Sequence, residues 1–319
     1  MRNAFASEIT AGAAMDERIV LLAGDIGNRL FDEYKEKCPG RFFNCGVAEA
    51  NMMSVAAGMA TCGLKPVTYT IVPFLTTRCL EQIRVDVCYQ NLPVVIVGVG
   101  GGLSYASLNA THHSCEDIAF LRMLPNMTVI CPGDPVEVRL AWREAIQMDG
   151  PTYIRLGKKG EPTIHAETPR FTIGKAIIVR EGTRVCLLGT GNALPIAIEA
   201  ADLLAEKGIS TRVASFHTVK PLDTALLADA FRNFQVVATV EEHSILGGLG
   251  GSIAEWVTDQ EGPNARLIRF GTSDSFMYVG GEQDFARGHF GLTPGNIASK
   301  IEISYRKTVQ GTAPSEAGS

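Results

Sequence analysis

The sequence predicts an α/β protein made of two doubly wound domains. Short apolar runs alternate with stretches of helical periodicity along the 319 residues, and this alternation is typical of parallel sheets covered by helices. Hydrophobic residues make up 46% of the chain, and a chain of this length exceeds the size at which a single core stops growing. A stretch rich in Gly, Pro and charge (157–176) interrupts the alternation, so we expect it to join two domains.

The first half contains five runs that predict buried strands: "RIVLLAGD", "KPVTYT", "LPVVIVGVG", "NMTVICPGD" and "PTYIRLG". Amphipathic stretches lie between them, as in "TTRCLEQIRVDVCYQNLP", where Leu80, Ile83 and Val87 recur at helical spacing. The segment "DPVEVRLAWREAIQ" opens with Asp-Pro, a good helix start. We therefore expect a first domain over residues 1–160, followed by a linker over 161–175.

A second α/β series follows the linker. The runs "TRVCLLGTG", "STRVASF", "FQVVATVEE" and "ARLIRFG" predict strands, and helices are expected over 192–207, 222–232 and near 248–259. This series predicts a second domain over residues 176–310. The low-complexity end "GTAPSEAGS" predicts a disordered tail over residues 311–319.

Composition excludes several classes of protein. The net charge of −5 and the lack of a long basic run argue against a nucleic-acid surface. The sequence has no run of about 18 apolar residues, so it predicts no membrane span. The start "MRNAFASEIT" lacks the apolar core that a secretory signal would have. The eight cysteines form no C-x-x-C pair, which favours reduced thiols in a cytoplasmic protein over zinc binding. The glycine-rich segments "GVGGGL" and "GGLGG" match no phosphate-binding motif, so close backbone packing is expected there.

A single carboxylate, Glu49, stands at the start of an apolar segment, "NCGVAEANMMSVAAGMATCG". An acid in the first turn of a helix gains from the helix dipole, which is one explanation for its presence. An apolar surrounding would also favour a shared or retained proton on such a carboxyl, as in many active sites. The residues alone leave both explanations open.

The order of several motifs resembles one enzyme family. "GD" at a strand end, "GVAEANM", "PFLTTRCLEQIRVDV" and "THHSCEDIAFLRMLPNMTVICPGDPVE" resemble the pyrimidine-binding domain of transketolase and 1-deoxyxylulose-5-phosphate synthase. "FHTVKPLD", "EEHSILGGLGG" and "FGTSDSF" resemble the C-terminal domain of the same enzymes. The resemblance extends to about residue 305 and implies that the chain acts in two-carbon ketol transfer from a ketose to an aldose.

The resemblance also implies roles for three residues at a thiamine diphosphate site. A glutamate at the position of Glu49 hydrogen-bonds N1′ of the aminopyrimidine and promotes removal of the proton from C2 of the thiazolium. Phe74, in "PFLTTR", matches the aromatic that stacks on the aminopyrimidine, although a core phenylalanine would fit the same position. Asp25 matches an acid near the thiazolium, and a cap of the turn after the strand is the alternative.

Substrate contacts are implied for four further residues. His112, in "THH", matches a histidine that contacts the reacting hydroxyls, and histidine suits proton transfer near neutral pH. Arg155 matches an arginine that binds the substrate phosphate, a role that suits the paired donors of a guanidinium. Arg2 stands where another such arginine is expected, although a loose N-terminal charge would fit the same position. Arg29 replaces the usual serine, which suggests contact with an anionic substrate tail or simply an exposed loop residue. Leu108 and Asn109 stand where an acid usually reads the sugar configuration, so the usual sugars are in doubt.

The family's G-D-G…N motif, which binds the diphosphate and Mg²⁺, does not occur in this sequence, and no metal ligands are predicted in this chain. The resemblance therefore implies a separate N-terminal subunit, a chain that also associates with itself, and an α2β2 heterotetramer with active sites at subunit interfaces. Two alternatives remain: the β-subunit of a 2-oxoacid dehydrogenase, and a non-catalytic assembly subunit that keeps the fold.

Overall fold

The computed structural model describes residues 1–27, 29–158, 160–262 and 265–311. The strands are β1 (Ile19–Ala23), β2 (Phe42–Asn44), β3 (Lys65–Ile71), β4 (Val95–Val99), β5 (Thr128–Ile130), β6 (Thr152–Leu156), β7 (Ile177–Arg180), β8 (Val185–Gly189), β9 (Thr211–Ser215), β10 (Thr218–Lys220), β11 (Val236–Ser244) and β12 (Arg266–Thr272). The α-helices are α1 (Arg2–Met15), α2 (Asp32–Lys37), α3 (Glu49–Thr61), α4 (Val72–Leu75), α5 (Leu80–Gln82), α6 (Asp117–Arg122), α7 (Pro135–Ala145), α8 (Leu194–Glu206), α9 (Thr224–Asn233), α10 (Leu249–Thr258), α11 (Gln283–His289) and α12 (Pro294–Gly311).

The first sheet has seven strands in the order β10-β5-β6-β4-β3-β1-β2. All neighbours are parallel except β10 and β5, which pair antiparallel. The central strands are buried on both faces, as parallel strands between two helical layers must be. The prediction of an α/β fold is therefore confirmed, with a mixed sheet in place of a purely parallel one.

The second sheet has five strands in the order β12-β11-β8-β9-β7, and only β7 runs antiparallel to its neighbour β9. Helices α8 and α12 cover one face through a core of Leu, Ile and Ala side chains. The division into domains over residues 1–160 and 176–310 stays a prediction. Strand β10 complicates it, since this strand comes from the second half of the chain and completes the first sheet.

The two sheets share a buried core. Val129 and Cys131 of the first sheet belong to the same apolar cluster as Leu188, Phe216 and Leu249 of the second half. The described residues of 157–176 form neither helix nor regular strand. Asp134 fixes the linker to the first domain by accepting hydrogen bonds from the backbone N–H groups of Ile164 and His165. The two halves therefore form one packed unit.

Local sequence explains the start of helix α7. Asp134 caps α7 by accepting a hydrogen bond from the Glu137 N–H at 2.7 Å, and Pro135 occupies the first turn. The segment around Leu80, Ile83 and Val87 is helical but irregular, with a 3₁₀ turn over Thr77–Cys79 and a π-helical turn over Ile83–Cys88. Among the described residues, no helix is both long and apolar enough to cross a membrane.

Three strands were not predicted: β2, β7 and β10. Each is an edge strand, and β2 and β10 have only three residues, too few for a periodic pattern. The predicted disorder of the tail falls on residues 312–319, which lie outside the described residues, and Gly311 is the last residue of α12.

The carboxyl ends of the parallel strands converge on one edge of the first sheet. Asp25 follows β1, Glu49 follows β2, and Phe74 follows β3. The chain runs from β1 outward to β2 and then returns past β1 to β3 and β4, so the direction of winding reverses beside β1. Crevices at such reversal points are the usual ligand sites of open α/β sheets.

Candidate active site

Glu49 is the first residue of α3, and its side chain is 4% exposed. Its carboxylate accepts a hydrogen bond from Arg78 Nη1 at 2.7 Å. Gly24 packs closely beside it, since a Cβ there would lie 2.8 Å from Thr70 Oγ1 and 3.7 Å from Glu49 Cγ. Glu49 is therefore buried but not isolated, because the Arg78 guanidinium pairs with its carboxylate.

Phe74 joins Glu49 to the predicted histidine. Its ring lies 4.4 Å from the guanidinium carbon of Arg78 and, in an edge-on arrangement, 5.1 Å from the ring of His112. Phe74 is half-buried, on the short helix α4 directly after β3. The structure thus brings together the three residues that carry the main sequence prediction.

His112 follows the kinked segment Ala106–Thr111 and is partly exposed. Its Nδ1 lies 2.9 Å from Thr111 Oγ1. Burial and the neighbouring His113 lower the pKa of His112. The ring is therefore neutral near pH 7 and can accept a proton.

A second set of residues continues the site on the far side of His112. The ring of Tyr105 lies 6.1 Å from His112, and Lys158 Nζ lies 4.6 Å from the Tyr105 ring centre. Burial raises the pKa of Tyr105, and the positive charge of Arg2 opposes that rise. A row of contacts therefore runs from Glu49 to the cation Lys158.

Arg2 and Arg29 line one cavity of about 470 Å³. The Nε atom of Arg2 is buried and has no hydrogen-bond partner among the described residues. Arg29 adopts a φ of 65°, a left-handed conformation that costs a non-glycine residue roughly 1–2 kcal/mol. Glu33 is the acid that lines the same cavity, and Tyr69 lines it too. The cavity is suited to an anion, and it contains both arginines that the sequence proposed for that purpose.

Asp25 lies at this edge but is exposed. Its carboxylate accepts a weak hydrogen bond from Asn44 Nδ2 at 3.4 Å, which joins the ends of β1 and β2. Both sequence interpretations, an acid near the cofactor and a turn residue, are compatible with this position.

Arg155 does not reach the site, and its prediction as a phosphate ligand needs correction. The side chain is 3% exposed and forms a buried ion pair with Asp117, Nε to Oδ2 at 2.8 Å. Its Nη2 also donates to the backbone carbonyls of Ser114 and Glu242. Burial alone would raise the pKa of Asp117, but Arg155 outweighs this and holds it below its usual value. Arg155 therefore joins the two halves of the chain.

The glycine-rich segments serve packing. At Gly102, which has a φ of 67°, a Cβ would lie 2.6 Å from Glu242, a fully buried carboxylate that pairs with Arg287. At Gly248, a Cβ would lie 2.2 Å from Glu241 Oε2. Glu241 accepts hydrogen bonds from the N–H groups of Leu249 and Gly250, and burial raises its pKa to about 7. A carboxylate thus occupies the start of α10, where a phosphate would otherwise fit.

Two residues of the site were missed. Lys158 follows the carboxyl end of β6, the edge where ligands bind, whereas Arg155 lies within the strand and points elsewhere. Arg78 belongs, in the sequence, to an amphipathic stretch with no assigned role. Its spacing of four residues from Phe74, one helical turn, is the signal that could have linked the two.

Two family models match this chain. The pyrimidine-binding domain of transketolase matches residues 1–162, and the C-terminal domain of transketolase matches residues 174–297. The chain belongs to the transketolase family, which depends on thiamine diphosphate, and the resemblance inferred from the motifs is confirmed.

Three similar proteins are named as transketolase subunits or as a split-gene transketolase. The chain is 37% identical over 310 residues to the 6-deoxy-6-sulfo-D-fructose transketolase subunit SqwH of Clostridium sp. (strain MSTE9), covering 96% of this chain and 95% of that one. It is 37% identical over 259 residues to one of the subunits of the apulose-4-phosphate transketolase of Actinobacillus succinogenes, covering 81% of this chain and 83% of that one. A solved structure of a split-gene transketolase, described as an inactive tetramer of four beta subunits, is 32% identical to this chain with a TM-score of 0.87. The match covers 96% of this chain and 98% of that one.

Proposed function

We propose that this chain is the catalytic partner subunit of a two-chain, thiamine-diphosphate-dependent transketolase. It would transfer a two-carbon ketol unit from an anionic ketose to an aldose. The observation that carries this proposal is the arrangement of Glu49, Phe74 and His112 around one edge of the first sheet. The chain's similarity to transketolase subunits along nearly its whole length supports the same reaction.

The residues present fit the aminopyrimidine half of the cofactor. A planar, hydrogen-bonding group, the Arg78 guanidinium, already contacts both the Glu49 carboxylate and the Phe74 ring. A planar aminopyrimidine needs the same two contacts, one in its plane and one on its face. Among the described residues, no cluster of His, Cys, Asp and Glu is arranged to hold a metal ion.

Each residue of the chain then has a defined task. When bound, thiamine diphosphate supplies the nucleophilic carbon and the electron sink of the reaction. Glu49 exchanges a proton with N1′ of the pyrimidine, and Phe74 fixes the plane of that ring. The Thr111 hydroxyl donates to the Leu108 carbonyl, so Nδ1–H of the neutral His112 ring donates to Thr111 Oγ1. Nε2 then faces a substrate hydroxyl as a proton acceptor.

The anionic end of the substrate would lie at the cations beyond Tyr105. Arg2 has an unpaired buried donor, Arg29 lines the same cavity, and Lys158 lies over the Tyr105 ring. Guanidinium groups bind phosphate or sulfonate through paired hydrogen bonds. The relatives named above act on sugars that carry such groups, a sulfonate in one and a phosphate in the other.

A partner chain would complete the site. We infer a separate subunit that binds the diphosphate and Mg²⁺ through a G-D-G…N motif, in an α2β2 heterotetramer in the cytoplasm. Large apolar side chains border the site: Val47, two residues before Glu49, is 76% exposed, and Tyr278 is 87% exposed. The loop of Tyr278 reaches the His112 segment, since a Cβ at Gly280 would lie 3.5 Å from Asn109 Oδ1. Such apolar surface is typical of an interface.

The test is a calorimetric titration of thiamine diphosphate and Mg²⁺ into this chain alone and into its mixture with the candidate partner. We expect binding in the mixture only, followed by ketol transfer in a screen of anionic ketoses. E49Q should lower kcat by roughly 10²–10⁴-fold. S54A, a change on the exposed face of the same helix, is the matched control.

Three results would contradict the proposal. A fully active E49Q complex would indicate an assembly subunit. Activity on a 2-oxoacid with lipoamide, and none on a ketose, would indicate a 2-oxoacid dehydrogenase subunit. Tight cofactor binding by this chain alone would exclude the split site.

A further inference from the structure

We propose that Arg78 is a built-in competitor of the cofactor's aminopyrimidine, so that cofactor binding requires this side chain to leave Glu49. The inference rests on the proposed function and concerns the same site. It follows from two contacts that one guanidinium makes at once. Arg78 Nη1 lies 2.7 Å from Glu49 Oε2, and its guanidinium carbon lies 4.4 Å from the centre of the Phe74 ring.

The guanidinium makes the contacts that a bound aminopyrimidine would make. It is planar, it presents N–H donors in its plane, and it packs on aromatic rings. A pyrimidine ring stacked on Phe74 and hydrogen-bonded to Glu49 would need the space that Arg78 fills. The two groups cannot hold both positions together.

Arg78 and Glu49 differ in how easily each gives up the contact. The Arg78 side chain is 43% exposed, so its charge regains water as it swings away. The Glu49 side chain is 4% exposed, and a buried carboxylate without a hydrogen-bond partner is strongly disfavoured. Arg78 is therefore released favourably only when another donor replaces it on Glu49.

This exchange sets the affinity for the cofactor. Only those molecules in which Glu49 is free of Arg78 can bind the cofactor. The apparent affinity is therefore the intrinsic affinity multiplied by the fraction of such molecules. Arg78 keeps its charge at all physiological pH values, so the competition does not depend on pH. It also gives the free chain a paired, stable Glu49 before the partner chain and cofactor arrive.

The experiment measures the dissociation constant of thiamine diphosphate with Mg²⁺, by calorimetry, for the complex of the full-length chain with its partner. R78Q should tighten binding roughly tenfold, the gain expected if the paired state is populated about nine-tenths of the time. Thiamine without diphosphate is a second probe, because it isolates the pyrimidine half of the site. R78K should give an intermediate result, since it keeps the charge but not the planar donor group.

R84Q is the matched control, because Arg84 is exposed on the next turn of the same irregular helix. Equal affinities for R78Q, R84Q and wild type would overturn the competitor role while leaving the proposed function intact. Weaker binding by R78Q would also overturn it and would make Arg78 a ligand of the cofactor. Failure of every variant and of wild type to bind either probe would overturn the proposed function together with this inference.

Discussion

Two arginine–carboxylate pairs in this chain have nearly the same length and opposite surroundings. Arg155 and Asp117 meet at 2.8 Å with side chains that are 3% and 0% exposed. Arg78 and Glu49 meet at 2.7 Å, but the Arg78 side chain is 43% exposed. The first pair has further partners, among them the Tyr153 hydroxyl, which donates to Asp117 at 2.7 Å.

The difference separates a structural ion pair from one at a functional site. Around Arg155 and Asp117 the hydrogen-bonding groups are satisfied by residues from both halves of the chain, so the pair cannot open without separating those halves. At Glu49 one partner can return to water, and the carboxylate can then bind a ligand. Burial and the number of partners, rather than the distance within the pair, distinguish the two roles.

Substitution of the arginine in each pair should lower the free energy of unfolding by clearly different amounts. R155M leaves Asp117 charged and buried, so we expect a loss of about 3–5 kcal/mol in the free energy of unfolding. R78M also leaves a buried carboxylate without its partner, but the lost partner is 43% exposed at the mouth of the site, so we expect a smaller loss of about 1–3 kcal/mol. Urea denaturation of the two variants tests the comparison, and equal losses would show that the pairs are alike.

The buried carboxylate Glu241 predicts a pH dependence of stability. Its pKa rises from 4.5 to about 7 on folding, so the native state holds a proton that the unfolded state releases. Stability should therefore fall as pH rises from about 4.5 to 7, by up to 1.4 kcal/mol per pH unit and about 3 kcal/mol in all. E241Q should remove this slope, which denaturation curves at several pH values would show. An unchanged slope would mean that Glu241 is ionised in the folded chain.

Substitution of the exposed Arg29 should weaken substrate binding and leave the free energy of unfolding nearly unchanged. R29S removes one charge from the anion cavity, so kcat/KM for an anionic ketose should fall roughly tenfold. The effect should appear in KM, and a neutral ketose should show none. R18S, a change at an exposed arginine paired with Asp16, is the control. A loss of activity that is equal for neutral and anionic sugars would contradict a role in charge recognition.

The smallest expected effect is the pH-dependent contribution of the linker residue His165 to stability. His165 Nε2 lies 2.8 Å from Glu137 Oε1, and Glu137 raises the pKa of His165 above 6.5 despite its partial burial. This contribution to stability is complete below pH 6.5 and is lost as pH rises through the raised value. H165Q should therefore differ from wild type at pH 6 more than at pH 9. A constant difference in Tm across that range would exclude protonated His165 as the cause.

The fold was predictable where long patterns exist. Every predicted strand formed, because runs such as "LPVVIVGVG" contain enough apolar residues to fix a buried strand. Strands β2 and β10 were not predictable from local pattern. Each has three residues, and β10 is a strand only because it pairs with β5, far away in the chain.

The site was predictable in part. Glu49, Phe74 and His112 were placed by their match to a family, and the structure brings them together. Arg155 was misplaced because the match did not show which face of β6 it occupies, and successive strand residues point to opposite faces. The Arg78–Glu49 pair could not be read from the sequence, since it depends on the positions of two separate helices.

Strand β10 has a consequence for the growing chain on the ribosome. Ile130 finds its antiparallel partner, Thr218, only after the whole linker and three strands of the second sheet have been made. At roughly 5–20 residues per second, the edge of β5 stays unpaired for several seconds. An open strand edge is a template for pairing with another chain. Truncated chains that end in the linker should therefore aggregate. During synthesis, the second half of the chain protects the first by pairing β10 with the open edge of β5.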